Sequence, residues 1–324
     1  MTKILVTGGA GFIGSNLVDR LLDDGEEVVA LDNFDAFYPS SLKRANLTSA
    51  VVRAGFRLAE IDIRDAQAVD RLFQKFQPDA IVHLAARAGV RPSIENPGLY
   101  ADVNVVGTVR LLEAAARLER KPKFVYASSS SVYGERSDAP FRETDPVDLP
   151  VSPYAATKKA CELLAFTFHH LHALPVCGLR FFTAFGPRNR PDLAIAKFAN
   201  LIDQAKPIPM FGDGSSRRDY TYIDDIVDGV TRAIHHCSSH HLYNLGHSEP
   251  IALRDMIASI GEALGKTPII DQLPEQPGDV RQTFADISRA RAELGYEPKT
   301  SFQEGIRRFI AWRQRRSAER FPES

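Results

Sequence analysis

Cysteine is scarce in this chain. Its 324 residues hold 3 cysteines, Cys161, Cys177 and Cys237. None belongs to a C-x-x-C pair, which excludes a disulfide scaffold and a tetracysteine zinc site. Net charge is lacking too: 40 Lys and Arg face 41 Asp and Glu, for a formal charge of −1. Such a balance gives no broad field to draw nucleic acid or an anionic membrane. No apolar run approaches the length of a membrane span. The N-terminus runs straight into a candidate strand, Met1-Thr2-Lys3-Ile4-Leu5-Val6, which leaves no room for a signal peptide. Internal repeats and low-complexity tracts are missing. These absences predict a soluble, cytoplasmic chain with no nucleic-acid partner, no membrane partner and no metal.

What is present is ordinary globular material, 44% hydrophobic and 25% charged, enough for a sizeable core. The length suits about two domains. The first half alternates short apolar runs with helical patterns. Ile4–Val6, Val28–Leu31, Phe56–Ile61, Ala80–Leu84 and Phe124–Ala127 read as strands, with a sixth at Val176–Phe182. Near-continuous apolar runs suit strands buried on both faces. Ser15–Asp24, Gln67–Phe76 and Tyr100–Leu118 read as helices. The alternation predicts an α/β fold with a doubly wound parallel sheet. After Gly186 prolines and short segments dominate up to Gly214. A strand signal returns at His241–Leu245, and Leu253, Met256, Ile257, Ile260 and Leu264 form a helical stripe. Ser301-x-x-Glu304 is a capping box opening the last helix, and Arg313, Arg315 and Arg316 form its solvated end. The expected division is a dinucleotide-binding domain over 1–180, with returning segments near 219–248, and a smaller lobe over 181–324.

The first chemical signal is Thr7-Gly8-Gly9-Ala10-Gly11-Phe12-Ile13-Gly14, between the first strand and the first helix. Glycines there permit a tight turn and let a pyrophosphate approach the backbone at a helix N-terminus. Asp32 ends the second strand, 18 residues beyond Gly14. A carboxylate at that place bonds a ribose 2′-OH and repels a 2′-phosphate, which favours NAD over NADP. Asp62, after the third strand, contacts adenine or is a simple turn carboxylate. Ala85-Ala86, after the fourth, gives the cofactor close access to the backbone.

The second signal is Tyr154-Ala-Ala-Thr-Lys158, which puts Tyr and Lys on one helical face. A free tyrosine titrates near pH 10, so base work near neutrality needs about 4 kcal/mol of phenolate stabilisation. A neighbouring ammonium has the right sign to supply it. Alone, the spacing occurs by chance on many amphipathic helices. Ser128-Ser129-Ser130-Ser131 ends the fifth strand, where doubly wound sheets place ligands. Ser129 lies 25 residues before Tyr154, and its hydroxyl suits orienting a substrate hydroxyl that Tyr154 deprotonates.

These motifs, with His83-Leu84-Ala85-Ala86, Asn104-Val-Val-Gly107-Thr108 and Val132-Tyr133-Gly134, resemble the extended short-chain dehydrogenase/reductase family over essentially the whole chain. Within it the chain is similar to nucleotide-sugar 4-epimerases. The resemblance implies a tightly held NAD, a catalytic trio of Ser129, Tyr154 and Lys158, and Asn104 as a structural support. It also implies cofactor contacts from Gly8, Gly11, Phe12, Ile13, Gly14, Asp32, Asn33, Asp62, Ile63, Leu84, Ala85, Ala86, Asn104, Tyr154 and Lys158. Thr183 stands in Leu179-Arg180-Phe181-Phe182-Thr183, where the family usually carries Asn. That departure, Arg188-Asn189-Arg190-Pro191-Asp192, the run Leu31 to Pro39 and the run Ala88 to Pro97 (with Arg91) resemble UDP-glucuronate 4-epimerases. Phe211-Gly212-Asp213-Gly214 and Arg218-Asp219-Tyr220 resemble the family's nucleotide-binding turn. The resemblance thus implies substrate contacts from Arg91, Phe211, Arg218 and Arg190. Gln276 stands where the family often has Arg, with Arg281 as a stand-in. Arg188, Arg217 and Arg281 are either diphosphate contacts or solvated side chains.

Oxidation at C4 of a glucuronate makes a β-keto acid, which loses CO2 when its carboxylate bond aligns with the carbonyl π system. Short hydroxyls can hold the carboxylate away from that alignment through charge-assisted hydrogen bonds. Ser129, Ser130 and Thr183 are the candidates. Decarboxylases and 4,6-dehydratases of the family carry an acid just after the catalytic Ser or Thr, where this chain has Ser130 and Ser131. The expectation is an isomerase acting on a UDP-sugar, UDP-glucuronate foremost, as a homodimer. The alternatives are a UDP-glucose or UDP-N-acetylglucosamine 4-epimerase and, in another class, a non-catalytic NAD-binding regulator.

Overall fold

A computed structural model describes residues 1–136, 138–274 and 282–320. The first half alternates as expected. It runs β1 (Lys3–Thr7), α1 (Phe12–Asp23), β2 (Glu27–Leu31), α2 (Ser40–Asn46), β3 (Phe56–Ala59), α3 (Ala66–Phe76) and β4 (Ala80–His83). Then come α4 (Val90–Glu95), α5 (Pro97–Tyr100), α6 (Gly107–Arg117), β5 (Lys123–Ser129), α7 (Pro153–His172) and β6 (Val176–Phe181). The second half holds β7 (Thr183–Phe185), α8 (Ala194–Asp203), β8 (Ile208–Phe211), β9 (Arg217–Tyr222), α9 (Ile223–His236) and β10 (His240–Leu245). It closes with β11 (Pro250–Ala252), α10 (Leu253–Leu264), β12 (Ile270–Leu273), β13 (Gln282–Thr283), α11 (Ser288–Leu294) and α12 (Phe302–Arg320).

The main sheet has seven strands in the order β3-β2-β1-β4-β5-β6-β10, every pair parallel. Successive β1 side chains serve opposite faces, as a period of two requires. Ile4 and Val6 join the cluster that holds Leu17 and Val18 of α1 and Val230 of α9. Leu5 joins Phe73 of α3 and Leu111 of α6 on the other side. The chain order reverses between β1 and β4, and the open crevice beyond that point is where such sheets take ligands.

The second half adds short elements. β9 pairs with β7, β11 and β13, while β8 pairs with β12. The return to the main sheet comes through α9 and β10; β9 stays in the small sheet. The stretch 187–214 is less irregular than its prolines suggest. α8 lies within it and buries Ile195, Phe198, Ala199 and Ile202, a helical stripe. The helix expected from Tyr100 starts earlier and is uneven: Ala101–Val106 is a π segment between α5 and α6. Half of the capping box forms: Ser301 Oγ accepts from the Glu304 N–H at 3.3 Å, while the Glu304 carboxylate turns to Arg307 and Arg308. Among the described residues no helix is long and apolar enough to cross a membrane.

Candidate active site

One cavity of about 410 Å³ opens at the carboxyl ends of the central strands. The glycine turn forms its floor. Gly8 has φ +68°, and a Cβ there would sit 2.8 Å from the Ala85 nitrogen, so only glycine fits between β1 and β4. A Cβ on Gly14 would overlap the Gly8 carbonyl oxygen. α1 opens at Gly11 with no side-chain cap and no acidic residue in its first turn. Its leading amide groups are thus left for an anion.

Asp32 follows β2 and is buried. Its oxygens accept from the Ala10 N–H at 3.1 Å and the Phe34 N–H at 2.8 Å, and Lys43 Nζ lies 3.8 Å away. Asp62 is engaged by Arg64 and by Asn33 Nδ2. The Arg64 hydrogen bonds pull its carboxyl down to about 2.

The catalytic candidates come from α7 and β5. Ser152 caps α7 by accepting from the Ala155 N–H at 3.1 Å, and Pro153 sits in the first turn. Tyr154 and Lys158 then face the cavity together. Lys158 is buried, and its ammonium donates to the Ala127 carbonyl of β5 at 2.8 Å. Ser129 ends β5 in extended backbone; its hydroxyl bonds Ser131 Oγ at 3.1 Å and accepts from the Ser131 N–H at 3.2 Å.

Asn104 lies behind this wall, in the π segment. Its Oδ1 accepts from the Arg87 N–H at 2.8 Å, and its Nδ2 donates to the Arg87 carbonyl and to Thr157 Oγ1, both at 3.0 Å. It therefore ties the loop after β4 to the helix carrying Tyr154. A second buried chain supports it. Thr7 Oγ1 accepts from the Ala85 N–H at 3.2 Å and bonds His83 Nδ1 at 2.7 Å; it is the donor there, because Thr108 at the far end of the ring spends its proton on a carbonyl and so requires the ring hydrogen on Nε2. His83 Nε2–H then donates to Thr108 Oγ1 at 2.9 Å, which donates to the Asn104 carbonyl. The network assigns His83 one neutral tautomer. Burial, and next the Lys158 ammonium, push its pKa down to about 3.

The cavity brings together Gly8, Gly11, Phe12, Ile13, Gly14, Asp32, Asn33, Asp62, Ile63, Leu84, Ala85, Ala86, Ser129, Ser130, Tyr154, Lys158, Thr183 and Arg190. Arg91, Phe211 and Arg218 do not line it. Arg188 reaches the other way and pairs with Asp19 of α1 at 2.6 Å, and Arg217 donates to the Pro250 carbonyl. Gln276 and Arg281 lie outside the described residues. Phe37, Tyr38, Lys43 and Arg87 line the cavity too; the run Leu31 to Pro39 contains the first two but gives neither a role of its own. Lys43 and Arg87 stand in no motif, and Arg87 gains its place only when the loops that follow β2 and β4, the strands on either side of β1, meet through the Arg87–Asp35 pair.

This arrangement is that of a short-chain dehydrogenase/reductase: a glycine turn, a buried carboxylate after β2 and a Tyr–Lys helix face in one cleft. The profile of the family described as GDP-mannose 4,6 dehydratase matches residues 5–309, and the chain belongs to that family, among the extended members of the class. It is 42% identical over 313 residues to a UDP-glucuronate 4-epimerase of Thermodesulfobacterium geofontis, covering 96% of each chain. The crystal structure of UDP-glucuronic acid 4-epimerase from Bacillus cereus, in complex with UDP-glucuronic acid and NAD, is similar at TM-score 0.90 and 36% identity. That match covers 97% of this chain and 99% of that one. A UDP-glucose 4-epimerase of Thermotoga maritima is similar at TM-score 0.88 and 31% identity, over 97% and 99%.

Proposed function

We propose that this chain is a NAD-dependent UDP-sugar 4-epimerase, an isomerase that interconverts UDP-glucuronate and UDP-galacturonate. The observation that carries the reading is Tyr154, Lys158, Ser129, Ser130 and Thr183 lining one cavity with the glycine turn and Asp32. The relatives and solved structures named for UDP-glucuronate 4-epimerase support the same reading.

The residues present fit NAD. The uncapped N-terminus of α1 receives a pyrophosphate, Asp32 the adenosine ribose, and Lys158 the nicotinamide ribose. NAD, when bound, accepts a hydride from C4 and returns it to either face of the 4-keto sugar. Tyr154 takes the O4 proton, and Ser129 orients that hydroxyl. Lys158, held on the Ala127 carbonyl, favours the phenolate by its charge. When hydride returns, Tyr154 gives the proton back, so overall redox change is nil. Ser130 and Thr183 hold the carboxylate out of line with the C4 ketone. The carboxylates lining the cavity are Asp32, Asp35 and Asp62, and none follows Ser129 in the chain. Ser130 and Ser131 stand there, which leaves the site poorly equipped for elimination or decarboxylation.

Arg190 is assigned to a phosphate or the sugar, and Arg91, Phe211, Arg218 and Arg281 to the nucleotide end of the substrate. Residues 1–180, with the return near 219–248, are taken as the cofactor part and 181–324 as the substrate lobe. We place the protein in the cytoplasm as a homodimer. Leu163, Phe166 and Leu171 are large apolar side chains exposed on α7 and give a second copy a face to cover. Sedimentation at micromolar concentration checks this, and a monomer there rejects the dimer.

The function is tested by incubating the purified chain with UDP-glucuronate and separating the products. UDP-galacturonate is expected. A UDP-pentose, or no product with UDP-glucuronate but turnover of UDP-glucose, overturns the substrate. Tyr154→Phe should lose at least about a hundredfold in turnover while retaining NAD.

A further inference from the structure

The segment 33–39 leaves the end of β2 in a series of side-chain-supported turns. The Phe34 N–H donates to Asp32, the Asp35 N–H to Asn33 Oδ1 at 3.0 Å and the Phe37 N–H to Asp35 Oδ1 at 2.8 Å. Phe37 then offers its ring to two arginines from elsewhere in the chain. The Arg87 guanidinium carbon lies 5.2 Å from the ring centroid and that of Arg190 lies 5.0 Å from it. Both distances are within cation–π reach.

Neither arginine is loose. Asn104 holds the Arg87 backbone at both its N–H and its carbonyl, and Arg87 Nη1 pairs with Asp35 at 3.1 Å. Arg190 forks onto Asp192, Nε–Oδ1 3.0 Å and Nη2–Oδ2 2.6 Å. Its loop is fixed on α1 by the Arg188–Asp19 pair and by Asn16 Nδ2 on the Pro187 carbonyl at 3.2 Å. Two cations against one ring repel unless each has its own counter-ion, which Asp35 and Asp192 supply. Asp35, Phe37, Arg87 and Arg190 all line the cavity that holds the glycine turn and Asp32.

We propose that Phe37, held by Arg87 and Arg190, straps the 33–39 segment across the cofactor cavity and slows the release of the cofactor, above all in its reduced form during a turnover. This rests on the reading of the cavity as an NAD site and adds the residues that retain the cofactor. The chemistry gives the strap a purpose. An epimerase must return to the sugar the two electrons it took, so reduced cofactor lost midway strands a keto sugar and an inactive protein.

The test uses the full chain loaded with NAD. Bound cofactor is quantified after rapid desalting, and the dissociation rate is followed through the fluorescence of bound NADH. Phe37→Leu keeps apolar bulk but removes the π face, and it should speed release at least about tenfold. Phe37→Trp keeps the face and should release NADH at the parent rate. Should Phe37→Leu fail to fold, Arg87→Gln removes one side of the same grip and should also speed release. Parent-like retention in Phe37→Leu, or in Arg87→Gln where that stands in, overturns the strap. A parent chain that takes up no NAD overturns the cofactor reading itself, and the strap with it.

Discussion

Arg180 of β6 grips Glu162 of α7 through two parallel bonds, Nε–Oε1 at 2.8 Å and Nη2–Oε2 at 2.9 Å. Both side chains are buried, and Glu162 Oε1 also accepts from Ser128 Oγ at 2.6 Å. Tyr154, Lys158 and Glu162 recur every fourth residue on one face of α7. The pair therefore fixes the helix that carries Tyr154 against β6, and the Ser128 bond ties the same helix to β5, the strand that carries Ser129.

Removing one partner of such a pair leaves a buried charge without compensation. Arg180→Met should destabilise the fold by about 3–5 kcal/mol, read by urea denaturation. Arg180→Met with Glu162→Met should recover most of that loss. Equal stability of the single variant and the parent contradicts this account.

As the proposed ribose carboxylate, Asp32 should set the choice of dinucleotide. Asp32→Ala removes the carboxylate facing the ribose and frees Lys43, now 3.8 Å from it. NAD binding should weaken about tenfold or more, from the loss of a charged hydrogen bond. NADP binding should gain, because a 2′-phosphate then meets an ammonium. Calorimetry with both dinucleotides checks this; unchanged NAD affinity removes Asp32 from the ribose site.

Thr183→Val keeps the shape of the side chain and deletes its hydroxyl. On UDP-glucuronate, kcat/KM should fall about tenfold, with a pentose product rising as the carboxylate swings into line with the ketone. On UDP-glucose the change should be small. Equal losses on both sugars point to a packing role instead.

His83 predicts an acid limb in stability. Its folded pKa, near 3, lies below the ordinary value of 6.5, through burial first and Lys158 second. The unfolded chain therefore binds a proton that the folded chain refuses, and stability falls as pH drops from about 6.5 toward 3. His240, also shifted down by burial, adds in the same direction. His83→Gln should flatten the upper part of this limb in melting temperature against pH, and an unaltered slope rejects it.

Local signals carried much of this molecule. The glycine turn, Asp32 and the Tyr154/Lys158 spacing depend on neighbours close in sequence, so their pattern survives in one dimension. The seven-stranded sheet follows from apolar runs of ordinary strand length. Other features depend on distant pairings. β7 and β11 have 3 residues each, too few for a period to register. In the π segment at Ala101–Val106, Asn104 bonds Arg87 and Thr157, partners distant in the chain that helical periodicity does not encode. Arg91, Phe211 and Arg218 looked alike with Arg190 as sequence, yet only Arg190 sits on the cavity, because its loop is anchored on α1.

The buried chain from the Ala85 amide through Thr7, His83 and Thr108 to the Asn104 carbonyl runs in one direction. The Thr108 hydroxyl, given to the Asn104 carbonyl, sets that direction. The imidazole is thus a built-in spectroscopic probe: its two ring nitrogens, one bearing hydrogen and one bare, resonate far apart in nitrogen-15 spectra. Any change that unseats the glycine turn at one end or the Tyr154 helix at the other blurs that separation, and so reports from inside the protein without touching the site.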